Sequence, residues 1–137
     1  YIARMDADDV SMPNRFQKQI DFLERNPQIA VVGSAAFFMD ENGYSQKHSA
    51  LLPVQHQEMM VRMLFKTSII HPVVMMRHSI LQTYSYKAKF MPAEDYELWT
   101  RIGANHTLAN VQEPLLYCRL HSNNIHRSKQ SSIKLYC

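Results

Sequence analysis

Asp6, Asp8 and Asp9 close a short strand-like run, residues 1–5, and crowd three carboxylates into a few positions. Open α/β sheets bind their ligands where strands end at the carboxyl edge. In an extended chain, positions i and i+2 point the same way, so Asp6 and Asp8 are expected to face one site. Carboxylates that close repel one another unless a cation lies between them. Hard oxygen ligands suit Mg²⁺ or Mn²⁺, ions that also bind phosphate oxygens. The same acids serve equally as a surface loop, with Asp9 placed to cap the following helix. A second acidic pair, Glu94-Asp95, opens a later helical run. A carboxylate with a reference pKa near 3.9 is ionised at neutral pH and can accept a proton, or it can simply cap its own helix. His71 precedes Pro72, and His121 follows a late strand-like run.

The elements that must hold these groups in place read as alternating strands and helices. Ser11-Met12-Pro13 starts a helix whose Phe16, Ile20 and Leu23 share one face, and Asn26-Pro27 stops it. A β-rich run, Ile29–Met39, leads to a turn at Asp40-Glu41-Asn42-Gly43 that sends the chain back towards Leu51-Leu52. A Met-rich helix is expected over residues 55–65, its methionines packing in the core. His71-Pro72 then leads into an apolar strand, residues 73–76, with a short helix from about Arg77. The Glu94-Asp95 helix runs through Leu98, Trp99 and Ile102, with Gly103 just past its end. Residues 107–111 and 115–120 read as two final strands. Such alternation predicts an α/β layer fold.

Composition narrows the chemistry. The chain has 137 residues, 46% hydrophobic and 20% charged, an ordinary globular balance for one domain or part of one. Gly33, Gly43 and Gly103 stand too far apart for a dinucleotide-binding or Walker A loop. Cys118 and Cys137 cannot form a disulfide framework. The apolar run Ile29–Met39 is too short to span a bilayer, no secretory leader is evident, and a cytoplasmic setting is expected. The net charge of +3 is uneven, because all 12 acids lie at or before Glu113 while Arg119, Arg127, Lys129 and Lys134 follow it. That segment reads either as a solvated tail, residues 122–137, or as a positive surface facing an anion such as a diphosphate or an acidic membrane. No alternation of aromatic and basic residues points to nucleic acid. The chain opens on Tyr1 inside a strand-like run and reads as cut from a longer protein.

Two families use an Asp-x-Asp at a strand end. Asp6 to Val10 is similar to the motif of haloacid-dehalogenase-like phosphatases, where Asp6 would be the nucleophile and Asp8 the acid/base. From Tyr1 nearly to its end, however, the chain resembles glycosyltransferase family 2. Tyr1-Ile2-Ala3-Arg4-Met5-Asp6-Ala7-Asp8-Asp9 resembles that family's strand and Asp-x-Asp segment, and Ser11-x-Pro13-x-Arg15-Phe16-x-x-Gln19 the helix start after it. Val31-Val32-Gly33-Ser34 with Asp40-x-x-Gly43 is similar to the next strand and turn. Ile70-His71-Pro72-x-Val74-Met75-x-Arg77 resembles a segment under the donor sugar. Ala93-Glu94-Asp95-Tyr96-Glu97-Leu98-Trp99-x-Arg101 resembles the Glu-Asp motif, and Tyr117-x-Arg119-x-His121 the closing motif.

The resemblance implies a partial GT-A fold, residues 1–121, with a mixed sheet flanked by helices and without the N-terminal nucleotide-binding half, which would take roughly 80–100 residues of βα units. It implies an inverting transfer from a nucleotide-diphosphate sugar to an acceptor hydroxyl of a sugar or lipid-linked sugar. Asp95 would be the base, Glu94 an acceptor contact, and Asp6, Asp8 and His71 donor contacts. Asp8 and His121 would bind Mn²⁺ or Mg²⁺. Arg119 would pair with phosphate or with Glu113. The implied setting is polysaccharide or glycolipid synthesis at the inner membrane face. A chain that begins at a middle strand would leave that strand's edge open, and self-association into a homo-oligomer, inactive alone, is the non-enzymatic alternative.

Overall fold

The computed structural model describes residues 1–49 and 51–120. The first strand, β1 (Ile2–Ala3), runs into the acidic segment, and β2 (Val10–Ser11) follows it. Next come helix α1 (Arg15–Arg25), strand β3 (Ile29–Met39) and strand β4 (Ser45–His48). Helix α2 (His56–Arg62) precedes a 3₁₀ turn at His71–Val73, strand β5 (Met75–Met76) and helix α3 (His78–Thr83). Helix α4 (Glu94–Gly103) and strand β6 (Thr107–Arg119) complete the described chain. The strands form one mixed six-stranded sheet in the order β1-β5-β3-β6-β2, with β4 also on β3. The α/β reading therefore holds.

Strand β3 is the axis because its sequence is almost continuously apolar, the pattern of a strand covered on both faces. It runs parallel to β6 and antiparallel to β4 and β5. On one face Val31 and Leu108 pack with Trp99 and Ile102 of α4 and Met59 of α2. The methionines of α2 thus do serve the core, with Met59 and Met63 buried. On the other face Leu23 of α1 meets Val32 and Met75.

Several local expectations change. Residues 1–5 were expected to be a buried strand, but only Ile2–Ala3 pairs, at the sheet edge, and Tyr1 and Met5 are exposed. The buried face of α1 carries Arg15, Gln19 and Leu23, while Phe16 points outward at 53% exposure. The polar pair wins those interior positions because it satisfies backbone carbonyls just after β1 and in the 3₁₀ turn. Arg15 donates to Arg4 O at 2.6 Å and Gln19 to Val73 O at 2.7 Å. Burial lowers the Arg15 pKa to about 10.

The two expected final strands are one, β6. Ser34 faces Val111 and Ala35 faces Pro114, so Gln112 and Glu113 bulge out and leave the ladder to resume. Residues 73–76 are strand only at Met75–Met76, since Pro72 lies inside the 3₁₀ turn. Gly103 is the last residue of α4 rather than its left-handed stop. Its role is clearance, for a Cβ there would stand 2.5 Å from Met60 Sδ.

Candidate functional site

Arg4 leaves β1 with its amide donating to Val74 O at 3.0 Å, which fixes where the acidic segment begins. The chain then turns, with the Asp9 amide donating to Asp6 O at 3.3 Å. Asp6 and Asp8 therefore sit on a turn, and the alternation of an extended strand does not govern them. Arg119 binds this turn to the rest of the sheet. Its Nε donates to Asp8 O at 2.9 Å, and its own amide donates to Asp9 Oδ1 at 2.8 Å. Its Nη1 donates to Asp40 O at 3.2 Å and Glu41 O at 2.9 Å, across the β3–β4 turn. Glu113, an expected partner of Arg119, instead accepts from Lys18. Asp9 does not cap α1, whose N-cap is Asn14 with no side-chain cap bond among the described residues. Burial pushes the Asp9 carboxyl up, and the charges of Asp6 and Asp8 add to that effect.

Asp6 accepts an ion pair from Arg4 at 2.5 Å. The other guanidinium nitrogen of Arg4, Nη1, is buried with no hydrogen-bond partner among the described residues. Its charge reaches His71, whose ring lies 5.6 Å from that of Trp99 and 5.8 Å, edge-on, from that of Tyr86. Burial first and Arg4 second lower the His71 pKa to about 3. His71 is thus a neutral imidazole at physiological pH, with a buried Nδ1 that finds no partner among the described residues.

Helix α4 supplies the second acidic pair. Its N-cap is Ala93, and Asp95 Oδ1 accepts the Tyr96 amide at 2.7 Å, inside the first turn. Both acids sit where a helix N-terminus favours negative charge. Glu94 Oε2 is buried without a partner among the described residues. One turn on, Glu97 takes Lys87 at 2.9 Å and Arg101 at 2.8 Å, and these cations hold its pKa down at about 2. Trp99 is fully buried, as core packing requires, but its Nε1 also lacks a partner among the described residues.

Tyr86 ties the two acidic groups together. Burial raises its pKa, and Arg4, Asp95, Glu94 and Asp6 all act on its hydroxyl through space. Tyr86 thus stands against His71 and within electrostatic reach of Asp6, Glu94 and Asp95, with Asp8 on the turn that follows Asp6. His121 lies outside the described residues, as does the tail, residues 122–137.

Among the described residues, no group of three or more His, Cys, Asp or Glu side chains is gathered to hold a metal. Two carboxylates on a turn nevertheless fit Mg²⁺, which is commonly held by one or two carboxylates together with substrate phosphates. Asp8 and Asp6 are the groups that would hold it.

Arg4 and Tyr86 had no assigned role at the sequence level. Arg4 stands two positions before Asp6, but both lie beyond β1, so strand spacing did not identify the pair. Tyr86 lies between α3 and α4 with no local pattern, so only the tertiary fold identifies it.

A sequence profile of glycosyl transferase family 2 matches residues 1–85. An uncharacterized glycosyltransferase of Methanocaldococcus jannaschii is 31% identical over 137 residues, covering 99% of this chain and 47% of its own length. The amylovoran biosynthesis glycosyltransferase of Erwinia amylovora is 30% identical over 142 residues, covering 98% of this chain and 52% of its own. An O-antigen biosynthesis glycosyltransferase of Escherichia coli is 35% identical over 131 residues, with coverages of 93% and 50%. The chain spans about half the length of these curated relatives.

Proposed function

The chain belongs to glycosyltransferase family 2 and has part of a GT-A fold, and from that premise we propose that the complete protein moves a sugar from a nucleotide-diphosphate sugar to an acceptor hydroxyl, with inversion at the anomeric carbon. The observation that carries this reading is that Tyr86, packed against His71, stands within electrostatic reach of two acidic groups. One is the Asp6–Asp8 turn and the other the first turn of α4.

Asp95 is the base. Its carboxylate takes the acceptor's proton as the hydroxyl attacks the sugar carbon from the face opposite the departing diphosphate. Glu94 Oε2, buried without a partner among the described residues, accepts from a second acceptor hydroxyl. His71, neutral, offers the donor sugar a hydrogen bond rather than a charge. Asp8, with Asp6 beside it on the turn, would hold Mn²⁺ or Mg²⁺, whose charge would offset that on the leaving diphosphate. His121 is a further candidate ligand by the family resemblance alone.

Relatives named for amylovoran and O-antigen biosynthesis favour cell-surface polysaccharide or glycolipid as the product class. A sugar or lipid-linked sugar is then the acceptor, taken up on the cytoplasmic side of the membrane. No helix among the described residues is long and apolar enough to cross a membrane, and the basic residues 122–137 suit peripheral contact with an acidic surface.

The phosphatase alternative falls, because the family 2 profile covers Asp6 and Asp8 and because Glu94-Asp95 opens a helix rather than ending a strand. Self-association of the isolated chain remains a second reading, favoured by the position of β1 at the sheet edge.

The test is nucleoside diphosphate release by the full-length protein from a panel of nucleotide sugars with sugar and lipid-linked acceptors and Mn²⁺. Acceptor-dependent release, lost in Asp8→Ala, is the expected result. Release of inorganic phosphate from a simple phosphomonoester, with no sugar transfer, would contradict it.

A further inference from the structure

Tyr86 is an aromatic residue that the fold keeps at the surface, 43% exposed, yet does not leave loose. The residue before it is clamped, since Arg101 of α4 donates to Ser85 O at 2.8 Å. The residue after it is clamped as well, since Lys87 pairs with Glu97 of α4 at 2.9 Å. Both clamps come from the helix that carries Glu94 and Asp95, so Tyr86 is held in register with them. Its ring meets that of His71 in a T-shaped contact at 5.8 Å. An exposed aromatic ring is thus fixed from both sides against His71, on the helix side that carries the second acidic pair.

We propose that Tyr86 is a sugar-binding platform, its ring stacking on the apolar C–H face of a pyranose held between the Asp6 turn and the first turn of α4. Aromatic side chains offer large, rigid contact area, and pockets that bind polar ligands pair such surfaces with a few placed polar groups. Here Glu94, Asp95 and His71 supply those groups. The pyranose belongs either to the acceptor or to the sugar being transferred, and both present the same C–H face. The inference deepens the glycosyltransferase reading and rests on it.

The experiment measures KM for donor and for acceptor separately in the full-length protein and in Tyr86→Phe and Tyr86→Ala, with thermal midpoints recorded for all three. Loss of a stacked ring should raise one KM by roughly 3- to 10-fold in Tyr86→Ala, with a smaller change in kcat. Tyr86→Phe, which keeps the ring, should restore that KM. A rise confined to the acceptor KM assigns the platform to the acceptor, and one confined to the donor KM assigns it to the transferred sugar. Unchanged KM values in Tyr86→Ala overturn the platform while leaving the transferase reading intact. So does a Tyr86→Phe variant as impaired as Tyr86→Ala, which would mean that the hydroxyl and not the ring matters. A shift in thermal midpoint that parallels the loss would reduce Tyr86 to a structural residue. Absence of transfer by the unaltered protein would overturn both the platform and the function beneath it.

Discussion

A buried imidazole near a cation resists protonation, and His71 is placed in that way. Burial and the Arg4 charge lower its pKa from 6.5 to about 3. In the unfolded chain the same histidine titrates normally. As pH falls from about 6.5 towards 3, the unfolded state therefore binds a proton that the folded state refuses, and stability drops across that window. The His71 ring proton signal should stay fixed between about pH 5 and 8 in an NMR titration. A midpoint near the ordinary histidine value would contradict the assigned environment. His71, Asp6, Asp8, Glu94 and Asp95 were all legible as chemistry-bearing residues, because their types and spacing are local. Arg15 and Gln19 were not. Their polarity argues for the surface, and only the carbonyls of Arg4 and Val73, which accept from them, explain why they are buried. Tyr86 was illegible for the same reason, since its partners lie on three other elements.

At the scale of elements, the approach of β3 to β6 sets the tightest constraint. Asn110 of β6 is fully buried, and its Nδ2 donates to Pro53 O at 2.9 Å and Ser68 O at 2.8 Å. A Cβ at Gly33 would stand 2.2 Å from Asn110 Oδ1. The two donor bonds stop the amide from swinging away. Gly33→Ala should therefore destabilise the chain by roughly 2 to 3 kcal/mol, an overpacking cost, read as a lower denaturation midpoint with an unchanged m-value. A midpoint equal to the unaltered protein's would show that Asn110 moves aside. Periodicity made β3 and α4 legible at nearly their full extent. It failed for β6, read as two strands, residues 107–111 and 115–120, where the sheet absorbed the residues between them as a bulge. It failed also at the start of α1, because the apolar Phe16 was given the face that Arg15 occupies.

At the scale of the molecule, the fold sets His71 against Trp99 of α4 and against Tyr86, while Arg4 links it to the Asp6 turn. The α/β class followed from alternation alone. The meeting of these two segments did not, because they lie far apart in sequence and the 3₁₀ turn and β5 join them only in three dimensions. The family profile accounts for the first part of the chain, and the second acidic pair stands beyond it. Asp95 is therefore where the account is most exposed. The direct measurement is kcat for sugar transfer by the full-length protein against Asp95→Asn, with thermal midpoints compared. The account predicts a loss of roughly 10²- to 10⁴-fold in kcat, the usual contribution of a general base, at an unchanged midpoint. An Asp95→Asn variant that transfers sugar at the unaltered rate would contradict the assignment of the base.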